Sequence, residues 1–162
     1  MEKWYEIKKN PEYAETILEM FCNLHDYRIT NINYDLAKNT IDVHFEYDTH
    51  DEGVILKFIN VKKLNINTDK DYEFNWLSGT QLYLNENNNL VWWDDDDYNY
   101  EKISNNPYIT WIEAEAIHFA FLDKDGEIIE LPEDRINPVV STLNFETYEY
   151  ESKQKHFEVY EV

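Results

Sequence analysis

The sequence predicts an α+β fold in a single domain spanning residues 1–162. One N-terminal helix is expected to pack on a curved, mainly antiparallel β-sheet of sandwich- or barrel-like form. Three observations predict it. Thirteen Tyr, eight Phe and five Trp stand beside only three Gly, a bias that suits strands. One stretch near the N-terminus repeats apolar residues at helical spacing, and a later one alternates strictly between apolar and polar side chains.

The helical stretch begins at Asn10-Pro11, an N-cap followed by a proline where the missing N–H costs nothing. Ala14, Ile17, Leu18 and Phe21 then fall on one face, with Glu12, Glu15 and Glu19 between them, which predicts a helix over 11–23. Its early glutamates suit the positive end of the helix dipole.

The alternating stretch is 40–47. Ile41, Val43, Phe45 and Tyr47 interleave with Thr40, Asp42, His44 and Glu46, the pattern of a half-buried strand. Ile32 and Tyr34 end a preceding strand, and 35–39 is a connection of hairpin length. Pairing Ile32 with Val43 and Tyr34 with Ile41 places apolar side chains opposite one another. A one-residue slip would set Asn33 against Ile41, so the first register is expected.

After a polar turn over 48–53, the segment 54–61 is apolar on both faces, as a strand covered on both sides must be, and Leu64 and Ile66 extend it. The Asn- and Asp-rich stretch 67–107 contains short apolar pieces at 81–84 and 90–93, with a hairpin expected across 85–89. Residues 108–122 fit either a helix or a strand. The turn Asp123-Lys124-Asp125-Gly126 into Ile128-Ile129 favours the strand, because a hairpin turn fixes what its neighbour must be. Two further strands are expected near 141–150 and 157–162.

Composition bounds function by exclusion. Thirty-four acidic against fourteen basic side chains give a formal net charge of −20. Such an excess repels nucleic acid and anionic membrane, whereas a basic protein would be drawn in, most strongly at low salt. Solubility alone is the competing explanation of the charge. The lone Cys22 has no partner for an internal disulfide, the opening residues lack the regions of a signal peptide, and no apolar run nears the ~18 residues of a membrane span. A cytoplasmic location is therefore expected.

The most conspicuous candidate site is Trp92 and Trp93 followed by Asp94, Asp95, Asp96 and Asp97. Exposed, this run would combine aromatic anchors with carboxylates and suit a basic partner. Buried, the tryptophans would only anchor a solvated acidic loop, and the acidity would serve solubility. Four adjacent carboxylates do not have EF-hand spacing, and Asp123-Lys124-Asp125-Gly126 lacks the remaining calcium ligands, so no metal is expected at either. His44, His50, His118 and His156 have no ligand spacing among them. Cys22 and His25 would neighbour each other on a helix as a nucleophile pair requires, but nothing in the sequence supplies the electropositive setting that lowers a thiol pKa. With three scattered glycines there is no phosphate cradle, and no nucleophile elbow or zinc-binding helix occurs. No cofactor and no catalytic residue is expected.

Residues 21–35, with Leu24-His25-Asp26 leading into the first strands, and Phe58-Ile59-Asn60-Val61 closing them, resemble small bacterial domains. Some of these resemble immunity proteins of polymorphic toxin systems. The resemblance covers about a quarter of the chain. It implies a non-catalytic protein that binds and neutralises a toxin, with His25 and Asp26 bracing the first strand. The functional expectation is thus an acidic protein-binding domain for a basic partner. A housekeeping domain, or a ligand-binding or enzymatic domain with a site assembled from distant residues, remains the alternative.

Overall fold

The computed structural model describes residues 2–47, 52–69 and 77–162. The polar turn predicted over 48–53, including His50, falls mostly outside them, as do 70–76 of the Asn- and Asp-rich stretch.

Strand β1 (Tyr5–Glu6) is followed by helix α1 (Pro11–Thr16). The Asn10 side chain accepts the N–H of Tyr13 at 3.1 Å, which makes it the N-cap that the sequence indicated. Beyond Thr16 the helix tightens into a 3-10 segment, Ile17–Leu24. Cys22, Asn23, Leu24 and Asp26 all take positive φ, between 52° and 65°, so the α-helix expected over 11–23 breaks early. Left-handed backbone costs a non-glycine residue about 1–2 kcal/mol. Burial of Leu24 offsets this, together with hydrogen bonds from Thr80 N–H to Asn23 O and from Asp26 N–H to Leu77 O.

Strands β2 (Tyr27–Asp35) and β3 (Thr40–Tyr47) form the expected hairpin in the expected register, Ile32 opposite Val43 and Tyr34 opposite Ile41. Strand β4 (Gly53–Asn65) runs past Leu64, as the sequence suggested. Then come β5 (Gln81–Leu84), β6 (Leu90–Trp93), α2 (Tyr100–Ile103) and β7 (Trp111–Leu122), which resolves the helix-or-strand ambiguity in favour of strand. The turn after β7 leads into β8 (Ile128–Ile129), with Asp123 Oδ1 accepting the N–H groups of Asp125 and Glu127. The chain closes with α3 (Glu133–Ile136), β9 (Val139–Asn144) and β10 (Glu149–Gln154).

One eight-stranded antiparallel sheet runs in the order β2-β3-β4-β7-β6-β5. The long strand β7 lies along β4 on one edge and shares its other edge among β6, β1 and β8. This sheet is open, so the barrel-like closure expected from the sequence does not occur. Nor do β9 and β10 form a second packed layer of a sandwich, because they pair only with each other and are largely exposed. The strand expected at 141–150 is two half-strands flanking a turn, and 157–162 contributes one bridge, from Glu161 to Tyr5.

The core lies on the face where Val43, Leu56 and Phe119 stand side by side across three strands. Phe21 lies against it, stacked on Phe121 at 6.2 Å and edge-on to Phe119. Fully burying such a side chain contributes about 1.5–3 kcal/mol. The two faces of β4 differ in cover. Val54, Leu56 and Phe58 point into this core, whereas Ile55 on the opposite face is buried between His44 and Ala120.

Candidate functional site

The acidic-aromatic run at β6 divides between core and surface. Trp92 is 0% exposed and packs against Phe45 and Phe58 at 5.6 and 5.9 Å between ring centroids; its Nε1 has no hydrogen-bond partner. Trp93 is 2% exposed on the opposite face, in a second cluster with Val91, Ile103 and Ile109. Its indole N–H donates to Tyr98 O at 2.8 Å. Adjacent strand residues point to opposite faces, and β6 is covered on both, so neither indole is presented to a partner.

Asp94 is also buried. Its Oδ1 accepts the N–H of Thr110 at 3.1 Å, and its own N–H donates to Thr110 O. It pins the start of the acidic loop to the start of β7. Asp95 is half-buried, and Asp96 and Asp97 are exposed. Among the described residues, the carboxylates of Asp95, Asp96 and Asp97 are the one group of potential metal ligands lying within 4.8 Å of one another. Gln81 Nε2 ties this loop down by donating to the carbonyls of Asp95, Asp96 and Tyr98.

The aromatic side chains that do face solvent are elsewhere. On the β9–β10 hairpin Phe145, Tyr148 and Tyr150 are 78, 78 and 73% exposed, and Val139 and Val140 are exposed with them. Pairing places Val139, Leu143 and Tyr150 on one face, and Val140, Glu149, Glu151 and Lys153 on the other. At the tip, Asn144 Oδ1 accepts the N–H groups of Glu146 and Thr147, and Tyr148 takes φ 56°. The base is closed by Lys155 N–H to Pro138 O and anchored by buried Phe157. Three glutamates and one lysine lie in 139–154, so this surface is aromatic with an acidic border.

No family model, curated protein or solved structure matches this chain.

Cys22, His25 and Asp26 line a cavity with Tyr27, Tyr47, Glu52 and Arg135. His25 Nδ1 lies 3.1 Å from Asp26 Oδ2, immediately before β2. Glu52 is the hub of this corner, accepting from Tyr27 Oη at 2.8 Å and pairing with Arg135. Burial, and then the Glu52 carboxylate, push the Tyr27 phenol well above the usual tyrosine range. On the outer sheet face, burial lowers both His44 and His118 below the usual histidine range. Glu6 opposes that shift at His118 and Lys57 adds to it.

A separate cleft of about 500 Å³ lies between α1, residues 78–83 and the loop after β6. Trp93 and Asp96 from the predicted run line it, beside Tyr83 and Tyr100, whose rings stack at 4.7 Å. The sequence offered no signal for this meeting, because α1 and α2 are far apart along the chain. The hairpin was hidden for a different reason. Asn144 was legible as a turn residue, but 139–150 lacks the alternation that would have divided it into two strands.

No helix among the described residues is long and apolar enough to cross a membrane.

Proposed function

We propose that this domain is a non-catalytic binding protein that docks a basic protein partner through the β9–β10 hairpin, in the manner of a toxin-neutralising immunity protein. One observation carries the reading: Phe145, Tyr148 and Tyr150 are exposed together on a hairpin whose other ionisable groups are mainly Glu146, Glu149 and Glu151. Aromatic anchors give contact area at low entropic cost, and a net charge of −20 steers a cationic protein towards them. In this reading the N-terminal helical segment covers one sheet face, and the hairpin stays free for the partner. The partner is positively charged around an apolar patch.

The buried positions of Trp92, Trp93 and Asp94 favour the second reading, in which acidity serves solubility alone. One experiment separates the two. Affinity capture from the native source is run with the wild type and with a Phe145→Ser/Tyr148→Ser/Tyr150→Ser variant. The binding reading expects a basic protein that is retained by the wild type, lost by the variant and weakened at about 0.5 M salt, where the Debye length is only a few ångströms. Equal retention by both proteins overturns it.

A further inference from the structure

We propose that the cleft between α1, residues 78–83 and the loop after β6 binds a linear aliphatic polyamine, independently of the hairpin. Its volume of about 500 Å³ falls among small-ligand pockets. Glu15 on α1, Asp96 in the acidic loop and Glu101 on α2 supply carboxylates from three separate segments, and no Lys or Arg lines the cleft among the described residues. Between them lies an aromatic wall made by the Tyr83–Tyr100 stack and Trp93.

That arrangement matches a ligand in which ammonium groups alternate with methylene runs. The ammonium groups meet carboxylates or ring faces, and the methylenes lie on the aromatic wall. Asp96 is held in place for this. Gln81 fixes the carbonyls around it, and its carboxylate sits against Gly79, where an added Cβ would come within 3.0 Å of Oδ2. A diffuse counterion cloud would need neither the rings nor a fixed carboxylate.

The test is calorimetric titration with spermidine at about 0.15 M salt, where long-range attraction is largely screened. Magnesium chloride and N-acetylarginine amide serve as comparison ligands. Spermidine should bind saturably and more tightly than both. Glu15→Gln/Glu101→Gln, both at exposed positions, should weaken it about tenfold, the value of one charged contact. Glu149→Gln/Glu151→Gln, the same charge change on the hairpin, should leave it unaltered. If both double variants lose affinity equally, or magnesium binds as well, the cleft is no site and only the net charge acts. If the arginine derivative binds more tightly than spermidine, the occupant is a partner's side chain and the polyamine assignment fails. Hairpin variants do not enter this result, so it stands or falls separately from the protein-binding reading.

Discussion

Replacing Asp94 by Ala separates a structural aspartate from a partner-facing one. In the wild type its Oδ1 satisfies the N–H of Thr110, a residue with no solvent exposure, and the two backbones are joined again by Asp94 N–H to Thr110 O. Truncation leaves the Thr110 donor buried near β7 with no side-chain acceptor. An unsatisfied buried donor costs about 1–3 kcal/mol, and a lost hydrogen bond to a charged acceptor falls in the same range. A loss of about 2 kcal/mol is expected, equivalent to a fall in Tm of about 4–8 °C for a chain of this size. Urea unfolding followed by Trp fluorescence measures it directly. With a slope of about 2 kcal/mol/M, the midpoint moves down by about 1 M. Asp94→Asn keeps an acceptor oxygen and should recover most of the loss, whereas Asp97→Asn, on an exposed side chain, should stay within about 0.5 kcal/mol. If Asp94→Ala unfolds at the wild-type midpoint, the assignment of Asp94 to the scaffold is wrong and the residue is free for a partner.

Two further expectations concern titration. The native state holds His118 below its ordinary pKa, so below about pH 6.5 the unfolded chain binds the extra proton and stability falls as pH falls. Between about pH 7 and 5.5 the unfolding midpoint of the wild type should therefore drop relative to that of His118→Gln, and parallel profiles would refute the linkage. Tyr27 is shifted the other way. Its folded pKa is raised, so its contribution is complete below about pH 10 and is lost as pH rises through the folded value. Tyr27→Phe should cost about 1.5–3 kcal/mol at neutral pH through the lost hydrogen bond to Glu52, and the gap to wild type should narrow above about pH 10. A gap that is constant from neutral to alkaline pH would contradict this.

What the sequence made legible was local. The β2–β3 register followed from alternation alone, because a slip by one residue would turn Ile41, Val43 and Phe45 out of the core. Asn10 and Asp123 each satisfy backbone N–H groups within four residues, so their roles as cap and turn could be read from neighbours. The rest depended on contacts far apart in the chain. Nothing near Cys22 announces a run of left-handed residues, since Asn23 and Asp26 tolerate it but Leu24 does not favour it. Trp92 and Trp93 looked like one aromatic edge. Phe45 and Phe58 cover the first, while Ile103 and Ile109, well downstream of β6, cover the second. The candidate site was therefore half legible: Asp95, Asp96 and Asp97 remain on or near the surface, but the exposed aromatics are on a hairpin that sequence patterning had merged into one strand.

That hairpin also poses a problem that its charges solve. Both β9 and β10 pair only with each other, which leaves each with an unpaired outer edge beside exposed Val139, Val140 and Tyr150. Unpaired edges with apolar side chains are templates for self-association. Glu149 and Glu151 share one face of the hairpin with the single Lys153, and a second copy would bring the same carboxylates against them, on top of a net charge of −20 per chain. Self-pairing is thus opposed while a cationic partner is not, which is the discrimination that a binding edge requires. Glu149→Gln/Glu151→Gln should consequently sediment as monomer and dimer in a concentration-dependent equilibrium, while the wild type stays monomeric at the same salt. Adding Tyr150→Ser should abolish the dimer. If the double variant stays monomeric at every accessible concentration, these glutamates are not what keeps the edge unpaired.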